Sequence, residues 1–164
     1  VSYFAAAFAR SGGEWVASEI DLDDVDSVEG VVDAVQQVET DDGIVLVFVE
    51  EENWFGVIRV EGDDEPRVYV SEAAEAMQSL VGEAVLSQLM EDYRLSEASD
   101  DEDEEEEPVV LPAEPIGEFG ILDDLGIQSG DLNRLAEAIG TSPAAAVSFL
   151  ADRLGFAEAL EAVR

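Results

Sequence analysis

Residues 43–51 read GIVLVFVEE, and the unbroken apolar run from Ile44 to Val49 decides how the chain can fold. In an extended strand successive side chains point to opposite faces, so Ile44, Leu46 and Phe48 lie on one side and Val45, Val47 and Val49 on the other. β-branched and aromatic residues favour a pleated strand. A strand that is apolar on both faces belongs inside a sheet covered from both sides.

Working outward, WFGVIRVEG (54–62) and PRVYVSE (66–72) read as two further strands. Upstream, SYFAAAFAR (2–10) and EWVASEIDL (14–22) flank SGG, a turn of small residues that tolerate positive φ, and read as a hairpin. Between hairpin and central strand, DSVEGVVDAVQQVE (26–39) places Val28, Val31, Val32, Val35 and Val38 at helical spacing, with Asp26 as N-cap and Glu29 three residues on. A second helix is expected over SEAAEAMQSLVGEAVLSQLM (71–90), capped by Ser71, with an inward stripe of Met77, Leu80, Val81, Ala84, Val85 and Leu89. The connections are short, so the order ββαβββα implies a mostly antiparallel, five-stranded sheet with two helices. That is an α+β body over residues 1–90.

Charge divides the rest. The net charge is −34 on 164 residues, split as −18 over 1–90, −12 over 91–118 and −4 over 119–164. The middle stretch contains SDDEDEEEEP (99–108) and then PVVLPAEPIGEF (108–119). Carboxylates repel one another, SDDEDEEEEP has no apolar side chain to offset the entropy of ordering, and the prolines that follow block helix, so an acidic disordered linker is expected over 91–118. The last stretch reads as a small helical module over 119–164. SGDLNRLAEAIG ends on Gly140, and SPAAAVSFLADRLG carries Ser142 as N-cap, Pro143 in the first turn and Gly155 as stop. FAEALEAVR adds a short helix. So few residues make a poor independent core, so the module is expected to dock on the body or on a partner, with Phe119, Ile121, Leu122 and Leu125 as the docking stripe.

Composition removes most familiar chemistry. The chain has no Cys and no His, and all seven basic residues are Arg. Thiolate nucleophiles, imidazole bases, zinc held by Cys or His, and lysine Schiff bases are therefore excluded. Carboxylate chemistry remains. As calcium loops, DDEDEEEEP lacks the glycine of the sharp turn and DLDDVDSVEG puts Val25 where an acid is needed, so no metal and no cofactor are expected. RLAEAIGTSPAAAVSFLADRLG has the outline of a helix-turn-helix, but its second helix would offer phosphates Ala, Ser and Asp. A packing hairpin is the reading, with no direct nucleic-acid contact. The N-terminal VSYFAAAFARSGGEW lacks a basic leader, and no run nears the ~18 apolar residues of a membrane span. A cytoplasmic protein is expected.

The remaining candidate is EEENWFGVIR (50–59). Glu50, Glu51 and Glu52 precede Trp54 and Phe55, with Arg59 on the following strand. Two carboxylates beside aromatics suit glycoside hydrolysis, but adjacent turn residues point outward. Trp and Arg also anchor protein interfaces, so these six residues form the candidate partner-binding site. Against this stands burial of both rings in the core.

Six stretches, SYFAAAFAR, DLDDVD, VLVFVEEENWFGVIRV, DEPRVYVSEAA, LDDLGI and LGFAEALE, resemble the actinobacterial family of tRNA adenosine deaminase-associated proteins. The resemblance covers the body and, more loosely, the C-terminal module; the acidic run matches only in character. It implies an accessory role beside the enzyme that makes inosine in an anticodon, and carries over no catalytic residue. The residues agree independently: that deamination needs zinc held by His and Cys. The expected function is a non-catalytic accessory protein whose partner is a basic protein, the deaminase being the candidate. The alternatives are an acidic nucleic-acid mimic and, less favoured, a carboxylate-dependent hydrolase.

Overall fold

The computed structural model describes residues 3–12, 14–22, 25, 27–36, 38, 40, 43–61, 66–97, 115–137 and 142–163. Their strands are β1 (Phe4–Ser11), β2 (Glu14–Glu19), β3 (Ile44–Glu50), β4 (Phe55–Glu61), β5 (Arg67–Val70) and β6 (Ile116–Gly117). Together they form one antiparallel sheet in the order β2-β1-β3-β4-β5-β6. β3 lies inside it, paired with β1 on one edge (Phe8 opposite Leu46) and β4 on the other (Phe48 opposite Val57).

Both faces of that strand are buried. Val45, Val47 and Val49 join Ala5, Ala7, Ala9, Ile58 and Val60 beneath α1 (Val28–Val35), α2 (Ala73–Ala76) and α3 (Leu80–Glu97). Leu46 and Phe48 join Phe8, Phe55, Val57 and Tyr69 beneath α4 (Ser129–Glu137), α5 (Pro143–Leu154) and α6 (Ala157–Val163). The fold is therefore three layers, helices over each face of an antiparallel sheet. β1 admits close packing on both sides because half of it is alanine: Ala5, Ala6, Ala7 and Ala9 are all buried. On the C-terminal side, Gly155 ends α5 at φ 92° and Phe156 turns inward. Its ring stacks on Phe8 at 4.3 Å between centroids and meets Trp15 at 5.0 Å and Phe48 at 5.5 Å.

Several details depart from the expectations. The sheet has six strands, not five, because Ile116–Gly117 pairs with Val70 and Tyr69. Only glycine fits there: Gly117 has φ 108°, and a Cβ would lie 2.2 Å from the Val68 carbonyl oxygen. Two residues are too few to show alternation, so PIGEF looked merely extended. The cap of α1 is Ser27, whose hydroxyl accepts from the Gly30 N–H at 3.4 Å, rather than Asp26, which lies outside the described residues. The helix expected over 71–90 is broken. Ser71 does not cap it; Ser71 pairs with Phe55, accepting on its hydroxyl from the Phe55 N–H at 2.9 Å. A short α2 is followed at Ser79 by a fresh start, where the Ser79 hydroxyl accepts from the Gly82 N–H at 2.9 Å. The break turns Leu80 out of the expected stripe to 81% exposure. α3 then runs to Glu97, past residue 90. Most of the acidic stretch, residues 98–114, lies outside the described residues, as does the turn between α4 and α5. Of the expected docking stripe, Ile121 and Leu122 are fully buried on the sheet and Phe119 stays 39% exposed against Tyr69.

Replacing Phe156 with Ala should therefore cost about 3–5 kcal/mol, the usual loss for emptying a large aromatic site. Urea denaturation followed by tryptophan fluorescence checks it, since Trp15 touches the ring; a loss under about 1 kcal/mol would mean the C-terminal layer is not part of the core.

Candidate functional site

The stretch 50–59 spans the turn between β3 and β4, and the structure separates its six candidate residues into three environments. Glu50 is half-buried at the strand end, opposite Phe55 in the ladder. Glu51 closes the turn, its N–H donating to the Trp54 carbonyl at 2.9 Å, and its carboxylate accepts from the Ser79 hydroxyl. Glu52 is exposed. Next to them the Asn53 side-chain amide donates to Glu75 at 3.4 Å. The acidic turn is thus fastened to the corner between α2 and α3.

Trp54 and Phe55 are not surface anchors. Each is only 2% exposed, Trp54 under the α1–α3 layer and Phe55 on the opposite face beside Tyr69. The pleat explains the split: consecutive residues entering a strand point to opposite sides, and here both sides are core. Among the described residues the Trp54 indole N–H has no hydrogen-bond partner, a cost the surrounding apolar burial outweighs.

Arg59 is likewise 3% exposed, and its charge is used internally. The guanidinium donates twice to Asp124, at 2.5 and 2.7 Å, once to Glu61 at 2.5 Å, and once to the Ile121 carbonyl at 2.8 Å. Asp124 belongs to a 3₁₀ turn, Asp123–Leu125, that leads into the C-terminal helices. A planar fork with fixed donors suits such a bidentate contact. The hydrogen bond from Arg59 holds the Asp124 carboxyl below its ordinary range, against the opposing pull of burial, while Asp124 in turn raises Arg59. Sequence reasoning missed Asp124 as the partner. The signal was present, since an arginine in the inward row Phe55–Val57–Arg59 demands a carboxylate, and LDDLGI supplies one.

The other arginines whose side chains are described are also engaged. Arg67 pairs with Glu118 at 3.2 Å and Arg134 lies 3.9 Å from Asp131. Arg10 sits over the Trp15 ring and Arg153 over Phe149, at 5.0 and 5.8 Å. Carboxylates remain on the outer surfaces of every layer: Glu29 and Asp33 on α1, Glu83 on α3, Glu158 and Glu161 on α6. Among the described residues no group of three or more acidic side chains is arranged to hold a metal ion, and no helix is long and apolar enough to cross a membrane.

Comparison with known proteins agrees with the sequence resemblance. Residues 3–157 match the model of the Rv3753c-like tRNA adenosine deaminase-associated protein family, and the chain belongs to that family. No curated protein and no solved structure matches it.

The Arg59 cluster carries a pH dependence whose sign is fixed. Asp124 has a depressed folded pKa, so its contribution is complete above the unfolded value of about 3.9 and is lost as pH falls through the folded one. The stability gap between wild type and Asp124→Asn should be present at neutral pH and close below about pH 4 in denaturation curves. Asp124→Ala should cost about 2 kcal/mol, more than Arg59→Met, because it leaves a buried guanidinium short of its partner while Arg59→Met leaves a solvated carboxylate. The reverse order would show the pair to be ornamental.

Proposed function

We propose that this chain is a non-catalytic accessory protein that associates with a tRNA adenosine deaminase through its acidic surface. The observation that carries the reading is the balance of charge: each of the five arginines with a described side chain contacts a carboxylate or an aromatic ring of the chain, and carboxylates outnumber arginines among the exposed described side chains. Family membership supplies the class of partner.

The physical logic is complementarity. A protein that grips tRNA presents cations to phosphates. A net charge of −34 attracts such a surface over about a Debye length, roughly 8 Å at physiological salt, and repels nucleic acid itself. With His and Cys absent, the chain lacks the zinc ligands of deamination and leaves that step to its partner. Of the six candidate contact residues, Glu50, Glu51 and Glu52 stay in the role, and Trp54, Phe55 and Arg59 support them from the core. The cytoplasm, where tRNA is modified, is the compartment this reading needs. Mimicry of nucleic acid uses the same charges and differs in selectivity.

Co-purification with the deaminase of the same genome decides it. The two should elute together at about 50 mM salt and separate near 1 M, where the Debye length shrinks to about 3 Å. No association at either ionic strength contradicts the reading, and equal binding to unrelated tRNA-binding proteins points to mimicry instead.

A further inference from the structure

Among the described residues Leu80 is the most exposed of the large apolar side chains, at 81%, against 46% for Val16, 44% for Phe149 and 39% for Phe119. Its neighbours in sequence are buried or half-buried: Val81 is 8% exposed, and Ser79 is tied into the fold. A leucine at the first turn of an amphipathic helix ordinarily rolls inward, so its position needs a cause.

The cause is a corner that cannot turn. Ser79 caps α3, accepting from the Gly82 N–H on its hydroxyl and from the Glu83 N–H on its carbonyl, each at 2.9 Å. Gly82 rests against α2 so closely that a Cβ would fall 1.7 Å from the Ala76 carbonyl oxygen. The Ser79 hydroxyl in turn donates to Glu51, and Asn53 reaches Glu75. Leu80 is therefore presented on a braced surface, at lower entropic cost on binding than a side chain on a loose loop.

Among the described residues the charged side chains of this corner have one sign. Glu51 and Glu75 are half-buried in the corner, and Glu52 and Glu83 are exposed beside it. The interactions that engage Arg10, Arg67, Arg134 and Arg153 all lie on other elements. We propose that this corner is the docking point for a cationic protein surface, one that offers an apolar pocket to Leu80 rimmed by Arg or Lys for Glu52 and Glu83. Charge selects this occupant. A second copy would set the same carboxylates face to face in a chain of net charge −34, and phosphates would be repelled. The proposal rests on the accessory reading and names the place where that reading would act.

The test uses the full chain and Leu80→Ser, which removes an exposed side chain and should leave stability within about 0.5 kcal/mol. Titrated with the deaminase at two ionic strengths, wild type should bind and Leu80→Ser should bind about tenfold more weakly at both, because the apolar contribution does not screen. Glu52→Gln with Glu83→Gln should instead flatten the salt dependence. Equal affinity of Leu80→Ser and wild type overturns the proposal while leaving the accessory reading intact. Should the deaminase bind neither, that reading falls, and a basic amphipathic leucine–arginine peptide decides the corner alone. Chemical-shift changes confined to residues 51–53 and 75–83 and lost in Leu80→Ser uphold it; changes spread over all exposed carboxylates overturn it.

Discussion

A sheet with two apolar faces needs two covers, and the rest of this structure follows from that requirement. β3 buries valines on one side and Leu46 and Phe48 on the other, so neither face can be left to water. The chain supplies the first cover before its acidic stretch and the second after it. Burial of a large aromatic or aliphatic side chain is worth about 1.5–3 kcal/mol, and the second face holds Phe8, Phe48, Phe55, Phe156 and several leucines, so returning across the acidic stretch is strongly favoured. Arg59 then fixes how the second cover arrives. A guanidinium buried to 3% exposure tolerates no arrangement that leaves it unpaired, which sets the 3₁₀ turn at Asp124 against β4.

The same constraint shapes the surface. The chain has few cations, and the fold draws those described into pairs and onto rings, where they bind the chain to itself. Among the described side chains that face water, carboxylates outnumber arginines. Acidity spread over every layer gives a diffuse attraction for cationic surfaces, which speeds encounter more than it fixes orientation. Orientation requires a local feature, and the braced corner bearing Leu80 is where an apolar contact and acidic rim coincide.

Much of the architecture was legible in the sequence because it rests on strong local signals. The double-faced run from Ile44 to Val49 placed β3 inside the sheet, and Ser142, Pro143 and Gly155 bounded α5 where the structure bounds it. What the sequence hid depends on contacts between distant residues. Gly117 becomes a strand residue only because the Val68 carbonyl approaches it, and the helical stripe breaks before Ser79 where Gly82 lets the Ala76 carbonyl come close to α3. The candidate contact residues divided the same way. Glu52 is exposed as a turn residue should be, whereas Trp54 fell into the core under α1–α3 and Phe55 and Arg59 onto the face that the C-terminal segment covers.

Whether both covers belong to one cooperative structure is read most directly by native-state hydrogen exchange on the intact chain. Amides of β3 and of α5 should share one opening free energy and one response to denaturant, since neither face of the sheet survives exposure alone. Exchange of α5 through a separate, lower-energy opening, with β3 still protected, would mean the sheet stands without its second cover and would contradict the account.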